Sequence, residues 1–222
     1  MNEIANKRRR YDDACAAAHA LDLIGDRWML LVIREMMFGP RRFGDIRRGL
    51  PGISANVLTQ RLEELESVGI LIRRKLPPPA GTQVYELTEW GLRCEPIFVE
   101  LGRWACGSPG HDPTRPFSAA SMFLSFRTMI DREASANIDA TFGFRIGEER
   151  YVATMQDGTI RIVASDPDHA DVIFTAVPEV MAGIIYGGAP IEAMEKDDLL
   201  QIEGDRSLAE RFVTLFPLSQ NA

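Results

Sequence analysis

Eleven residues near the middle of the chain, Cys106-Gly-Ser-Pro-Gly-His-Asp-Pro-Thr-Arg-Pro116, hold two glycines and three prolines. Proline lacks a backbone donor and clashes with the preceding helical turn, so neither a helix nor a central strand runs through this stretch. It separates the 222 residues into two parts, each of a length that suits one small domain. Charge changes at the same place. Residues 1–110 carry 16 basic and 14 acidic side chains, whereas residues 111–222 carry 9 and 18. The expectation is an α+β chain of two domains: a basic arm at 1–13, a domain at 14–105, a linker at 106–116 and a second domain at 117–222.

The net charge of −7 argues against a non-specific nucleic-acid coat, but the acidity is confined to the second half. Trp28 to Ile33, the longest uncharged apolar stretch of the first half, falls far short of the ~20 residues a membrane span needs. Lys7 to Arg10 lead into Tyr11, Asp12 and Asp13 rather than an apolar core, so no signal peptide and no membrane association are expected. Cys15, Cys94 and Cys106 are odd in number and make no CxxC pair, which fits a reducing, cytoplasmic setting. His19, His111 and His169 lie far apart without cysteine at ligand spacing. Neither a metal nor a cofactor is expected.

Within the first domain, Cys15 to Ile24 is alanine-rich and helical, and Asp26 is placed to cap a second helix running to Phe38. Gly39-Pro40 breaks it. Phe43, Ile46 and Leu50 mark a short third helix, and Pro51-Gly52 breaks again. Ser54 is a good N-cap for a fourth helix that ends at Val68-Gly69. Ile70–Leu76 and Gln83–Leu87 have strand character, and Thr88 is placed to cap a last helix, Glu89–Trp104, kinked or offset at Pro96. Helix, short helix, turn, helix and hairpin is the order of a winged helix-turn-helix.

The fourth helix carries the functional argument. Leu58, Leu62 and Leu65 cluster on one side, with Asn56, Thr59, Gln60, Glu63 and Ser67 opposite. Amides and hydroxyls match base edges, and Asn or Gln can pair bidentately with adenine. Ser54, Asn56, Thr59 and Gln60 are therefore expected to contact bases. Arg41, Arg42, Arg47 and Arg48 precede this helix, and Arg73, Arg74 and Lys75 follow it. Phosphate contacts from such cations set register while base contacts specify sequence. Arg61 lies beside the leucine face and could serve a phosphate or an internal carboxylate equally well. The expected phosphate set is Arg41, Arg42, Arg48, Arg61, Arg73, Arg74 and Lys75.

The blocks Cys15-Ala-Ala-Ala-His-Ala-Leu-Asp-Leu-Ile-Gly-Asp-Arg-Trp28, Gly39-Pro-Arg-Arg-Phe-Gly-Asp-Ile46, Ile53-Ser-Ala-Asn-Val-Leu-Thr-Gln-Arg-Leu-Glu-Glu-Leu65 and Tyr85-Glu-Leu-Thr-Glu-Trp-Gly91 resemble, in order and spacing, HxlR-type transcriptional regulators. The resemblance covers roughly 14–105. It implies a bacterial or archaeal dimer on double-stranded DNA carrying a near-palindromic operator, with the first and last helices of the domain building the dimer. Independently, Ile97, Phe98, Leu101 and Trp104 form an apolar stripe too large for a solitary surface helix. Some members of that family sense quinones, aldehydes or oxidants through an N-terminal cysteine, and Cys15 stands at that position. A helix N-terminus or a nearby cation would activate its thiol; otherwise, among alanines, it is a small packed residue. Trp28 and Trp90 suit core or interface, Cys94 belongs to the last helix's apolar face, and Cys106 opens the linker.

In the second domain, Phe117 to Ile130 has helical apolar spacing and Ile138 to Ile146 alternates as a strand. Strands follow at Tyr151–Met155, Thr159–Ala164, Val172–Val177 and Leu199–Glu203. Asp157-Gly158 signals a hairpin. Helices are expected at Pro178–Tyr186 and Ala189–Lys196, and after a cap at Asp205. The sheet is expected to be antiparallel and covered by helices. Phe126, Phe142, Phe144, Met155, Phe174, Met181, Ile185 and Phe212 point to its interior, either as ordinary core or as the lining of an adaptable apolar pocket. The segments 171–181, 187–194 and Leu200-Gln-Ile-Glu-Gly-Asp205 resemble a sterol-carrier (SCP2-like) domain. That resemblance implies an apolar tunnel for hydrophobic molecules; the identity of a ligand does not transfer with a fold.

The expected function is a dimeric, sequence-specific DNA-binding regulator that represses, released by a small hydrophobic effector in the second domain. The alternative is a thiol redox or electrophile switch through Cys15, with the second domain structural only. An enzyme is not expected: no nucleophile, base and orienter are placed together, and His169 beside Asp168 and Asp171 suits a solvated turn.

Overall fold

The computed structural model describes residues 11–78, 81–112 and 115–218. Residues 1–10, most of the expected basic arm and including Lys7 to Arg10, lie outside them. The chain forms two compact units, Met1–Arg93 and Cys94–Ala222.

In the first unit, α1 (Ala16–Ile24), α2 (Met29–Glu35), α3 (Phe43–Arg48) and α4 (Ala55–Ser67) precede a hairpin of β1 (Leu71–Lys75) and β2 (Gln83–Leu87), then one turn of helix, α5 (Glu89–Leu92). Met29, Val32 and Ile33 of α2, Ile46 of α3 and Leu58, Leu62 and Leu65 of α4 are all fully buried or nearly so. Burying each such side chain contributes roughly 1.5–3 kcal/mol, so the leucine row alone holds α4 in place. Ser54 caps α4 as expected, its hydroxyl accepting from the Val57 N–H at 3.2 Å. The hairpin pairs Leu71 with Leu87 and Lys75 with Gln83 in antiparallel register. A backbone bridge between Arg41 and Tyr85 ties the segment before α3 to the wing.

Two local expectations are corrected. Asp26 does not cap α2. The helix starts three residues later, after Trp28 in the left-handed region at φ 80, and Asp26 is left to meet Arg61. The last helix expected at 89–104 is broken rather than kinked. Arg93 and Cys94 end α5 and begin α6 (Glu95–Cys106), with Pro96 in its first turn. Proline is harmless there because the first-turn N–H groups have no intrahelical acceptor. The two compact units divide between Arg93 and Cys94, with α6 packed along α7 (Ala119–Met129) in the second.

Beyond α7 the second unit is a five-stranded sheet in the order β5 (Thr159–Ala164), β4 (Glu149–Gln156), β3 (Ala140–Ile146), β6 (Val172–Ala176), β7 (Leu200–Gly204). The expected antiparallel sheet is mixed: β3 and β6 run parallel, with Phe144 beside Phe174, and the other three pairings are antiparallel. Helices α8 (Pro178–Ile185) and α9 (Ile191–Lys196) connect β6 to β7, and α10 (Arg206–Val213) follows. Asp157 and Gly158 both have positive φ, 49 and 69, as a two-residue hairpin turn demands. Gly204 has φ 93, and a Cβ there would stand 2.1 Å from the Asp171 carbonyl oxygen. The Gly-Asp pair after β7 is therefore a backbone requirement, with Asp205 capping α10 through the Leu208 N–H at 3.0 Å.

Candidate functional site

The row Leu58, Leu62 and Leu65 is buried, and Ser54, Asn56, Thr59, Glu63 and Ser67 are exposed on the same stretch. Three of the four expected base-contacting residues are thus open to solvent. Ser54 keeps its hydroxyl proton to donate while its oxygen caps α4. Gln60 is half-buried and donates its amide to Glu64 at 3.0 Å, which directs it along the helix.

The cations divide sharply. Arg42, Arg47 and Lys75 are exposed, and no ion pair among the described residues engages them. Arg48 is exposed and holds Asp45 at 3.2 Å, a surface contact that competes weakly with a phosphate. Arg73 meets Glu66 at 2.9 Å and lies over the Tyr85 ring at 5.4 Å. Arg74 pairs with Glu86 across the wing, a contact that raises its pKa, and remains partly exposed. Arg41 donates Nε to the Glu35 carbonyl at 3.2 Å and is half-buried. Arg61, with its side chain 16 % exposed, bridges Asp26 at 2.9 Å and Glu64. Of the two roles open to it, the internal carboxylate is the one it fills. Arg47 joins the exposed set although spacing alone did not single it out; its position one residue after the buried Ile46 carries that signal.

Cys15 is exposed and stands at the N-cap of α1. The backbone N–H groups of Ala17 and then Ala18 hold its thiol below the ordinary value. Burial pushes the Cys94 thiol up instead. On α6, Ile97, Leu101 and Trp104 are exposed and Phe98 is half-buried. Of the first unit's helices, α1 buries only Ile24 within the chain and leaves Leu21 exposed.

In the second unit, seven of the eight expected pocket residues (Phe126, Phe142, Phe144, Met155, Phe174, Met181 and Phe212) are fully buried; Ile185 is half-buried. The rings touch. Phe142 and Phe212 are 4.4 Å apart between centroids, Phe126 and Phe216 4.7 Å, and Phe144 and Phe174 5.5 Å. Such pairs add about 0.5–1.5 kcal/mol each beyond burial, so these residues are the domain's packed core. Phe123 and Phe216, from the same interior-facing apolar set, complete the cluster together with Tyr151, which sequence reasoning did not place in the interior. Tyr186, also missed, is mostly buried and shares a 2.7 Å hydrogen bond with Ser125; burial drives its hydroxyl pKa far up. Around His169, Asp168 pairs with Arg145 at 3.0 Å, and Asp171 accepts from the Thr141 N–H and hydroxyl at 2.7 Å each. Both carboxylates serve the turn. Among the described residues no helix is long and apolar enough to cross a membrane, and no group of His, Cys, Asp and Glu is placed to hold a metal.

Comparison with known proteins matches the HxlR-like helix-turn-helix model at residues 23–110 and the SCP-2 sterol transfer family model at 124–217. The chain is similar to the HTH-type transcriptional regulator YodB of Bacillus subtilis, 41 % identical over 86 residues, covering 39 % of this chain and 77 % of that one. It is similar also to the uncharacterized HTH-type transcriptional regulator YvaP of the same organism, 36 % identical over 86 residues, covering 39 % of this chain and 80 % of that one. Among solved structures, the reduced form of YodB is 37 % identical and covers 45 % of this chain and 100 % of that one, with a TM-score of 0.40. With relatives of this identity covered over most of their length and an SCP-2 match that accounts for the second half, the chain belongs to the HxlR-like family of DNA-binding transcriptional regulators and carries an SCP2 domain behind its winged helix-turn-helix.

Proposed function

We propose that the protein acts in the cytoplasm as a homodimeric repressor. In this reading α4 enters the major groove, with Ser54, Asn56 and Thr59 on base edges and Gln60 at the margin. Arg42, Arg47, Arg48 and Lys75 hold phosphates, and Arg73 and Arg74 join them from the wing. The observation that carries it is the division of α4 into a buried leucine row and an exposed amide-and-hydroxyl row, flanked by Arg42, Arg47 and Lys75, which are exposed and engaged by no ion pair among the described residues. Dimerisation uses Ile97, Phe98, Leu101 and Trp104 together with α1, and sets two α4 helices about 34 Å apart, one turn of DNA. A small hydrophobic effector in the SCP2 domain relieves repression. Because the aromatic cluster is ring-to-ring packed, such a ligand enters by displacing side chains, and it shifts DNA affinity only by its preference between the two states.

The test is fluorescence anisotropy of the full chain on duplex DNA from upstream of its own gene, across a salt series. Tight, sequence-selective binding with a log–log salt slope near −0.9 per phosphate contact is the expected result. Binding that is equally weak on every duplex at every salt concentration refutes it.

The exposure of Cys15 and its two backbone donors favour a second reading, a thiol switch in which oxidation or an electrophile at Cys15 releases DNA. Cys15→Ser abolishes the response to diamide under this reading and leaves the response to a hydrophobic effector intact under the first.

A further inference from the structure

Helix α6 has two faces. Ile97, Leu101 and Trp104 recur at spacings of four and three and are exposed, Trp104 by 78 %. On the opposite side Glu95, Val99 and Gly102 are half-buried and lie toward α7. Glu95 pairs with Arg127 of α7. Arg103 donates to the Thr128 carbonyl at 3.3 Å, and a Cβ on Gly102 would stand 3.8 Å from the Thr128 methyl. The other arm of the Arg127 guanidinium donates to the Ile162 carbonyl at 3.2 Å, on the edge strand β5. One side chain, 16 % exposed, thus bridges α6, α7 and the sheet. The buried side of α7 delivers Phe123 and Phe126 into the aromatic cluster.

We propose that Arg127 is a positioning residue that latches α6 to the sheet edge, so that a rearrangement of the aromatic core reaches the exposed α6 stripe through α7. The consequence for DNA binding rests on the reading of that stripe as the dimer contact; the latch itself does not. A guanidinium suits the task because its fork serves two acceptors in fixed directions, which a lysine ammonium on a flexible stem does not. Glu95 and Ile162 then cannot move independently. The position of α6 becomes a property of the second domain, although the family model assigns the helix to the first.

The test is amide hydrogen exchange on the full chain. Arg127→Gln raises exchange across residues 97–104 by at least about fivefold, the low end of ordinary coupling between sites, while β3, β4 and α4 keep wild-type protection. Arg127→Lys restores part of the protection. Phe126→Leu, which loosens the cluster, speeds α6 exchange in the wild-type background and adds nothing in Arg127→Gln. Unchanged α6 exchange in Arg127→Gln overturns the latch, as does a uniform rise over the whole second unit or an equal effect of Phe126→Leu in both backgrounds. Sedimentation equilibrium of Trp104→Asp addresses the other reading separately. A variant that stays dimeric overturns the stripe as interface and leaves the exchange result standing.

Discussion

Lys75→Ala and Arg61→Ala remove one positive charge each from the same domain, yet they are expected to fail in different experiments. Lys75 sits exposed at the end of β1, engaged by no ion pair among the described residues. Arg61 is 16 % exposed and spans Asp26 and Glu64. In a dimer each substitution occurs twice. If both Lys75 side chains hold phosphates, Lys75→Ala lowers the salt slope of DNA binding by about 1.8, from 0.9 per contact. Over a fourfold salt range, from about 50 to 200 mM, that makes the variant's loss of affinity roughly tenfold smaller than the wild type's. Its folding stability stays within about 0.5 kcal/mol of wild type, as for an ordinary surface substitution. Arg61→Ala leaves Asp26 and a largely covered Glu64 without their shared cation and costs about 2 kcal/mol of stability, with the slope unchanged. Anisotropy titrations at five salt concentrations, paired with urea unfolding of each variant, separate the two. An Arg61→Ala protein with a flattened slope and wild-type stability would refute the division of cations argued from exposure and pairing.

Iodoacetamide should label Cys15 faster than Cys94 at neutral pH, because the Ala17 and Ala18 N–H groups favour the Cys15 thiolate while burial disfavours that of Cys94; equal pH–rate profiles by mass spectrometry would contradict this. Gly204→Ala should destabilise the second unit by more than about 2 kcal/mol, since its φ is 93 and a Cβ would meet the Asp171 carbonyl. Gly147→Ala, at φ 58 in open space, should cost no more than about 1–2 kcal/mol, and urea unfolding compares them. The Asp171 carboxyl is held below its usual pKa, first by the Thr141 N–H and then by the Thr141 hydroxyl. Its contribution is therefore fully present above the unfolded value of about 3.9 and disappears as pH falls through the lower folded value. Asp171→Asn should accordingly be less stable than wild type at pH 7, with the gap closing in strong acid.

Much of the architecture was legible where it depends on neighbours in sequence. The Ser54 cap, the leucine row of α4 and the Asp157-Gly158 turn obey capping, periodicity and turn rules that operate over a few residues. Pro96 was legible as an interruption, but whether it kinks one helix or begins another depends on the α7 surface against which α6 lies. The parallel pairing of β3 with β6 escaped notice because a strand's sequence does not name its neighbour, and the two are separated by an intervening hairpin. The apolar residues of the second domain were foreseen as a group. Their contact ring against ring was not, since a pattern of phenylalanines is the same for a packed core and for a lined cavity.

The candidate interface divides along the same line. By itself the sequence determined that a polar-faced helix lies between two groups of basic residues, because side-chain type and helical phase suffice for that. Only the tertiary structure decided which cations remain available. Arg61 turns inward to a carboxylate 35 positions away in the chain, Arg41 is drawn to the Glu35 carbonyl, and Arg42, Arg47 and Lys75 stay in solvent. The physical reason is that a charge's role depends on the nearest opposite charge and on its access to water. Both are distances in space, and the fold alone brings residues distant in sequence to within 3 Å of each other.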